Sequence, residues 1–180
     1  MVDEQSILQY VDVGEAFSMP EIYILYKTAT GLEKRLKVNP EETCINLDLR
    51  DVASVDLLPL AWCSKLEDLN IRNNQLTEID LSPLEKCSNL RALRLNSNHL
   101  ENVNLTPLEN CSNLVELALH KNRIKRLDIS PLFHCHNLAD LNLDDTTSLL
   151  ADLTLKSVGS WPEVLIERFH RILWKVPEEA

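Results

Sequence analysis

The stretch Cys63–Leu150 reads, in four rows, CSKLEDLNIRNNQLTEIDLSPLEK (63–86), CSNLRALRLNSNHLENVNLTPLEN (87–110), CSNLVELALHKNRIKRLDISPLFH (111–134) and CHNLADLNLDDTTSLL (135–150). The leading cysteines fall at 63, 87, 111 and 135, one every 24 residues. Self-similarity at a fixed period of this size marks a solenoid, in which each unit buries its apolar face against the next. Within a row, Leu69 and Ile71 alternate with Asp68, Asn70 and Arg72, the period of a strand with one face buried. Stacking the rows makes these strands parallel neighbours, about 4.8 Å apart. Asn74, Asn98 and Asn122 follow the strands, where a buried amide can satisfy the backbone groups that a turn leaves unpaired. Thr146 takes that place in the last row. Ser82-Pro83, Thr106-Pro107 and Ser130-Pro131 predict short helical turns in an outer layer, with Ser or Thr as N-cap and Pro at the first helical position.

The pattern L-x-x-L-x-L-x-x-N-x-L in these rows resembles the leucine-rich-repeat family. The SPLxxCSNL form is similar to that of short intracellular repeat proteins with 24-residue units. The expected fold is an α/β, right-handed leucine-rich-repeat solenoid, a horseshoe arc with a parallel concave sheet. The resemblance implies a binding scaffold, not an enzyme, with no cofactor and a protein or peptide as partner.

Outward from the rows, stepping back 24 residues from Cys63 gives a degenerate first repeat at 39–62. Its Ile45, Leu47, Val52, Val55, Leu57, Pro59 and Leu60 take the slots of Leu69, Ile71, Leu76, Ile79, Leu81, Pro83 and Leu84, and Arg50 stands where later rows have Asn. Before it, Glu21–Tyr26 and Leu32–Val38 are strand-forming runs around Thr30-Gly31, a β-hairpin that suits an N-terminal cap. After Leu150, Ser160-Trp161-Pro162 predicts a helix to about Val176 with Leu165, Phe169, Ile172, Leu173 and Val176 on one stripe. The expected organisation is a single domain, 1–180, with an N-terminal cap at 1–38, repeats at 39–150 and a helical C-terminal cap at 151–180.

The chain has 180 residues and a net charge of −10. Such a charge argues against nucleic-acid or membrane-surface binding by the whole protein. The acidic start, MVDEQ, lacks a signal peptide's basic opening, which predicts a cytoplasmic protein; a monomer in the free state is expected. The cysteines at 63, 87, 111 and 135 predict a reduced, buried ladder whose side chains point one way, poor geometry for disulfides.

Register alone stacks the exposed strand positions. Arg72, Arg94, His99, His120, Lys121 and Arg123 gather in the central repeats, a local inversion of charge bordered by carboxylates, and with Asn96 and Asp144 beside them they are the expected binding site for an acidic partner on the concave face and its edge. Ser97, His120 and Asp144 invite a Ser–His–Asp hydrolase reading, but a sheet face offers no closed pocket or oxyanion hole. Phe133-His134-Cys135-His136 lacks a full tetrahedral metal set. A structural subunit bound through caps or flank is the other reading.

Overall fold

A computed structural model describes residues 21–157 and 159–176. The first twenty residues of the expected N-terminal cap lie outside the described residues. Two antiparallel strands, β1 (Ile22–Thr28) and β2 (Glu33–Val38), form the hairpin. Gly31 turns it with φ +85°, a left-handed conformation that suits glycine. The first repeat supplies β3 (Cys44–Asn46) and β4 (Val52–Asp56), and β1 pairs with β4, which ties the hairpin to that repeat. Ile24, Tyr26 and Val38 join the core there.

The middle of the chain is repetition. Strands β5 (Asp68–Asn70), β6 (Ala92–Arg94), β7 (Glu116–Ala118) and β9 (Asp140–Asn142) line up with β3 in one five-stranded parallel sheet. Its register is the predicted one: Ile45, Leu69, Leu93, Leu117 and Leu141 are paired in one column. All five side chains of that column are buried. The 111–134 row adds β8 (Arg126–Asp128) and the last repeat β10 (Ser148–Asp152), which pair in parallel.

The outer layer differs from the expectation in detail. Ser82–Lys86, Thr106–Asn110 and Ser130–His134 are 3-10 turns, not α-helical ones, and Leu81, Leu105 and Ile129 occupy the N-cap positions without side-chain capping bonds. Each turn is five residues long and closes when a cysteine N–H returns to a carbonyl three residues back, as Cys87 does to Leu84 at 2.9 Å. So short a segment cannot build the four-residue ladder of an α-helix. The acceptor ahead of each turn is an Asx side chain: Asp80, Asn104 and Asp128 receive the N–H groups of Ser82, Thr106 and Ser130.

Two asparagine ladders bind one repeat to the next. Asn98 donates from Nδ2 to Leu95 O and to Ile71 O one repeat earlier, both at 3.0 Å, while its Oδ1 accepts Leu76 N–H. Asn74 and Asn122 repeat the arrangement. Thr146 does not continue the ladder; it is exposed, and its neighbour Thr147 is buried and donates to Ile124 O. A second ladder, absent from the sequence reading, runs along the outer corner, where Asn89, Asn113 and Asn137 donate to Ser64, Ser88 and Ser112 carbonyls.

The cysteine ladder is a third link. Cys63, Cys87, Cys111 and Cys135 are fully buried, and all five cysteines of the chain are unpaired. The Cys87 and Cys135 thiols lie 3.4 Å from the carbonyls of Leu60 and Leu108. Burial pushes Cys87 and Cys111 up to about 12 and Cys135 up to about 11. The unfolded chain loses its thiol protons near pH 8.5. These groups therefore support folding below that pH, and the support is lost as pH rises toward the folded values, each thiol withdrawing about 1.4 kcal/mol per pH unit. Alkylation of native protein at pH 8 is expected to modify Cys44 alone, and all five cysteines after denaturation. Rapid native modification of Cys87 or Cys111 would contradict a closed core.

The C-terminal segment corrects the expected helical cap. Helix α1 spans only Glu163–Ile166, starts after Pro162 rather than Ser160, and gives way to a 3-10 turn at Phe169–Arg171. The chain then forms β11 (Ile172–Lys175), parallel to β10. The open edge of β10 offers a backbone ladder that the helical stripe in the sequence does not reveal, and Ile172 and Trp174 turn inward while Leu173 and Val176 stay exposed. Phe133, Trp161, Phe169 and Trp174 pack together with ring centroids 5.1–6.1 Å apart.

Candidate functional site

Of the predicted residues, Arg94 lies on a strand of the five-stranded sheet, Arg72, Asn96, His120 and Asp144 follow the strand ends, and His99, Lys121 and Arg123 lie beyond them. Arg94 lies between its lateral neighbours: Nη1 bonds Asp68 at 2.6 Å, and Nε and Nη2 fork onto Glu116 at 2.9 and 2.6 Å. Glu116, then Asp68, favour the charged guanidinium and raise its already high pKa. This clamp shades the small residues beside it. Asn70, Ala92 and Ala118 are buried, contrary to the expectation that every position flanking the leucine column is exposed. Arg72 pairs with Asp48 at 2.9 Å. Hydrogen bonds from Asn73 and Arg72 hold the Asp48 carboxyl below the usual carboxylate range. Two of the predicted cations are thus neutralised where they stand.

Beyond the strands the chain turns through left-handed backbone at the equivalent positions Leu49, Asn73, Ser97 and Lys121, with φ of 55–58°, and again at Asp51 in the first repeat. No glycine occupies these positions, and each residue accepts a conformation costing about 1–2 kcal/mol. Asp144 fastens the last of these turns: its carboxylate accepts the N–H groups of Lys121 at 2.8 Å and Asn122 at 3.1 Å. His99 bonds Gln75 at 2.7 Å, and Asn96 lies 3.4 Å from Ser97 Oγ.

Lys121, Arg123, Lys125 and Arg126 are exposed, and none of them has an ion pair among the described residues. Arg123, Lys125 and Arg126 line a groove whose floor includes Ile124, opposite Glu101. These four residues thus carry uncompensated charge at this rim, whereas Arg72 and Arg94 on the sheet are paired.

Among the described residues, no hydrogen bond joins Ser97, His120 and Asp144, and Asp144 is committed to backbone. Nδ1 of His120 is buried without a partner. No three potential metal ligands converge among the described residues, and His134 contacts Glu109 instead. No helix among them is long and apolar enough to cross a membrane.

Two residues at this end were not singled out from the sequence as site residues. Arg168 and Arg171 come back over the end of the sheet. Arg168 donates to Val164 O and Leu141 O, and Arg171 to Asp145 O. Their placement depends on the return of the C-terminal segment, for which the sequence offers no local signal.

The 24-residue consensus, the parallel column of leucines and the asparagine ladder define a leucine-rich-repeat solenoid fold. Neither a family model nor a curated protein sequence matches it. Among solved structures it is similar to internalin C2 of Listeria monocytogenes, with 28% identity over 72% of this chain and 50% of that one, at a TM-score of 0.47. It is also similar to the repeat ectodomain of the Arabidopsis thaliana receptor kinase GASSHO1/SCHENGEN3, solved with CASPARIAN STRIP INTEGRITY FACTOR 2, at 27% identity over 65% of this chain and 13% of that one, with a TM-score of 0.45. The functional domain of InlJ from Listeria monocytogenes, which includes a cysteine ladder, matches at 18% identity over 59% of this chain and 34% of that one, with a TM-score of 0.35. The chain thus spans half or less of the length of each of these structures.

Proposed function

We propose that this protein is a non-catalytic recognition module that binds an acidic peptide or loop along the exposed sheet face and over the Lys121–Arg126 rim. The observation that carries this reading is the contrast in pairing. Arg72 and Arg94 are held by carboxylates, whereas Lys121, Arg123, Lys125 and Arg126 stand together without ion pairs among the described residues, in a chain of charge −10. Uncompensated charges of one sign raise the association rate of a complementary partner. Size narrows the partner's form. Five strands about 4.8 Å apart span roughly 24 Å, and a standard interface needs about 800 Å² per partner, so the face suits a peptide or loop better than a broad globular surface. Unpaired thiols support a reducing, cytoplasmic setting.

The test places a photo-crosslinking amino acid at Asn142 on the sheet face or at Glu85 on the outer layer, in cells of the source organism. Capture from position 142 is expected, with loss of capture when Lys121, Arg123 and Lys125 are changed together to Glu. Capture from position 85 alone, or capture indifferent to the charge reversal, would move the site elsewhere.

A further inference from the structure

The end of the sheet closes into a cleft of about 250 Å³. His120 and Asn142 reach it from the sheet, Leu149 and Asp145 from the last repeat, and Arg168 and Arg171 from the C-terminal segment. The geometry points to this cleft as a seat for one carboxylate of the bound peptide, an acidic side chain arriving at the end of the sheet face. This inference rests on the recognition reading above and adds a specific anchoring point to it.

Three observations converge. First, both guanidinium groups are fixed before any ligand arrives. Arg168 is tied to Val164 O at 2.8 Å and Leu141 O at 3.0 Å, and Arg171 to Asp145 O at 2.9 Å. Each guanidinium carries five N–H donors in a rigid fork, so donors remain after these bonds are made. Fixing them in advance lowers the ordering cost of binding. Second, His120 has an unmet bond: its Nδ1 is buried with no partner. Third, the charges lining the cleft are two arginines against the carboxylate of Asp145, which is fully exposed and 3.7 Å from Arg171 Nη1, while Glu167, outside the lining, stands 3.9 Å from Arg168 Nη1. The nearby Asp144 carboxylate is turned to the backbone N–H groups of Lys121 and Asn122. A single positive excess fits a monocarboxylate, whereas a phosphate dianion meets twice the repulsion from Asp145.

The cleft is continuous with the sheet face, since His120 and Asn142 occupy positions in its exposed rows. A chain charge of −10 disfavours non-specific uptake of an anion, so saturable binding of one requires a local site.

The experiment uses the full chain, isotope-labelled, and titrates acetylated tetraglutamate amide, with tetraglutamine and a phosphoserine peptide as comparisons. NMR follows the Arg168 and Arg171 Nε–H signals, the His120 ring and, separately, the amides of residues 121–126. Saturable shifts of the two arginines and His120 with tetraglutamate, and none with tetraglutamine, are expected. Arg171→Gln should weaken the fitted affinity by at least about tenfold, the range for a charged hydrogen bond. His120→Gln, which removes no backbone contact, serves as the second variant should Arg171→Gln disturb β11. Shifts confined to 121–126 would overturn the cleft and leave the recognition reading standing. Silence at both places would overturn both. Saturation by phosphoserine but not tetraglutamate would overturn the carboxylate assignment.

Discussion

Truncation after Gly159 is expected to aggregate the protein or abolish its cooperative unfolding. The deleted segment supplies buried Val164, Leu165 and Ile172. At about 1.5–3 kcal/mol each, their burial represents roughly 4–9 kcal/mol, comparable to the whole stability of a typical domain. The cut also strips β11 from β10 and removes Trp161 from the edge of Phe133, 5.1 Å between centroids. The newly bare surface is an apolar flank beside an open strand edge, the kind that drives association. Light scattering and thermal unfolding provide the check. A truncated protein that stays monomeric with an unchanged midpoint would show that the segment does not cap the repeats.

Leu117→Ala is expected to cost about 2–5 kcal/mol. Leu117 is fully buried in the middle of its column, between Leu93 and Leu141, so neither neighbour can close the cavity without breaking its own register. Denaturant unfolding should show the loss as a lower midpoint with little change in slope. A loss below about 1 kcal/mol would mean that the stack relaxes around the cavity, against the partial relaxation seen in packed cores.

What the sequence makes legible is whatever repeats. The leucine column, the cysteine ladder and the Asn74, Asn98 and Asn122 bonds are found in the structure because each rung constrains the next by a fixed offset. The outer turns are legible in position but not in type, since Pro after Ser or Thr marks a start without specifying which hydrogen bonds follow. The C-terminal segment escapes the reading altogether. Leu165, Phe169, Ile172 and Leu173 fit a helical stripe, yet the exposed edge of β10 takes Ile172–Lys175 as a strand, a tertiary demand with no local trace. The candidate site divides along the same line. The rows of face residues follow from register, but pairing decides which cations remain uncompensated. Carboxylates one repeat away claim Arg72 and Arg94, and Arg168 and Arg171 reach the sheet only through the folded return of the chain.

The Arg94 clamp limits how the solenoid could be edited. Backbone links between rows are chemically the same at each junction, so excising a whole 24-residue cassette leaves the carbonyls and amides with equivalent partners. The side chains are not so indifferent. Excising 87–110 would set Asp68 beside Glu116 with no guanidinium between them, two like charges across adjacent strands. Excising 111–134 would instead leave Arg94 facing Asp140, and the clamp would re-form with a shorter arm. The rows are interchangeable as scaffolding, yet each junction has an electrostatic polarity that fixes the order in which they can be read.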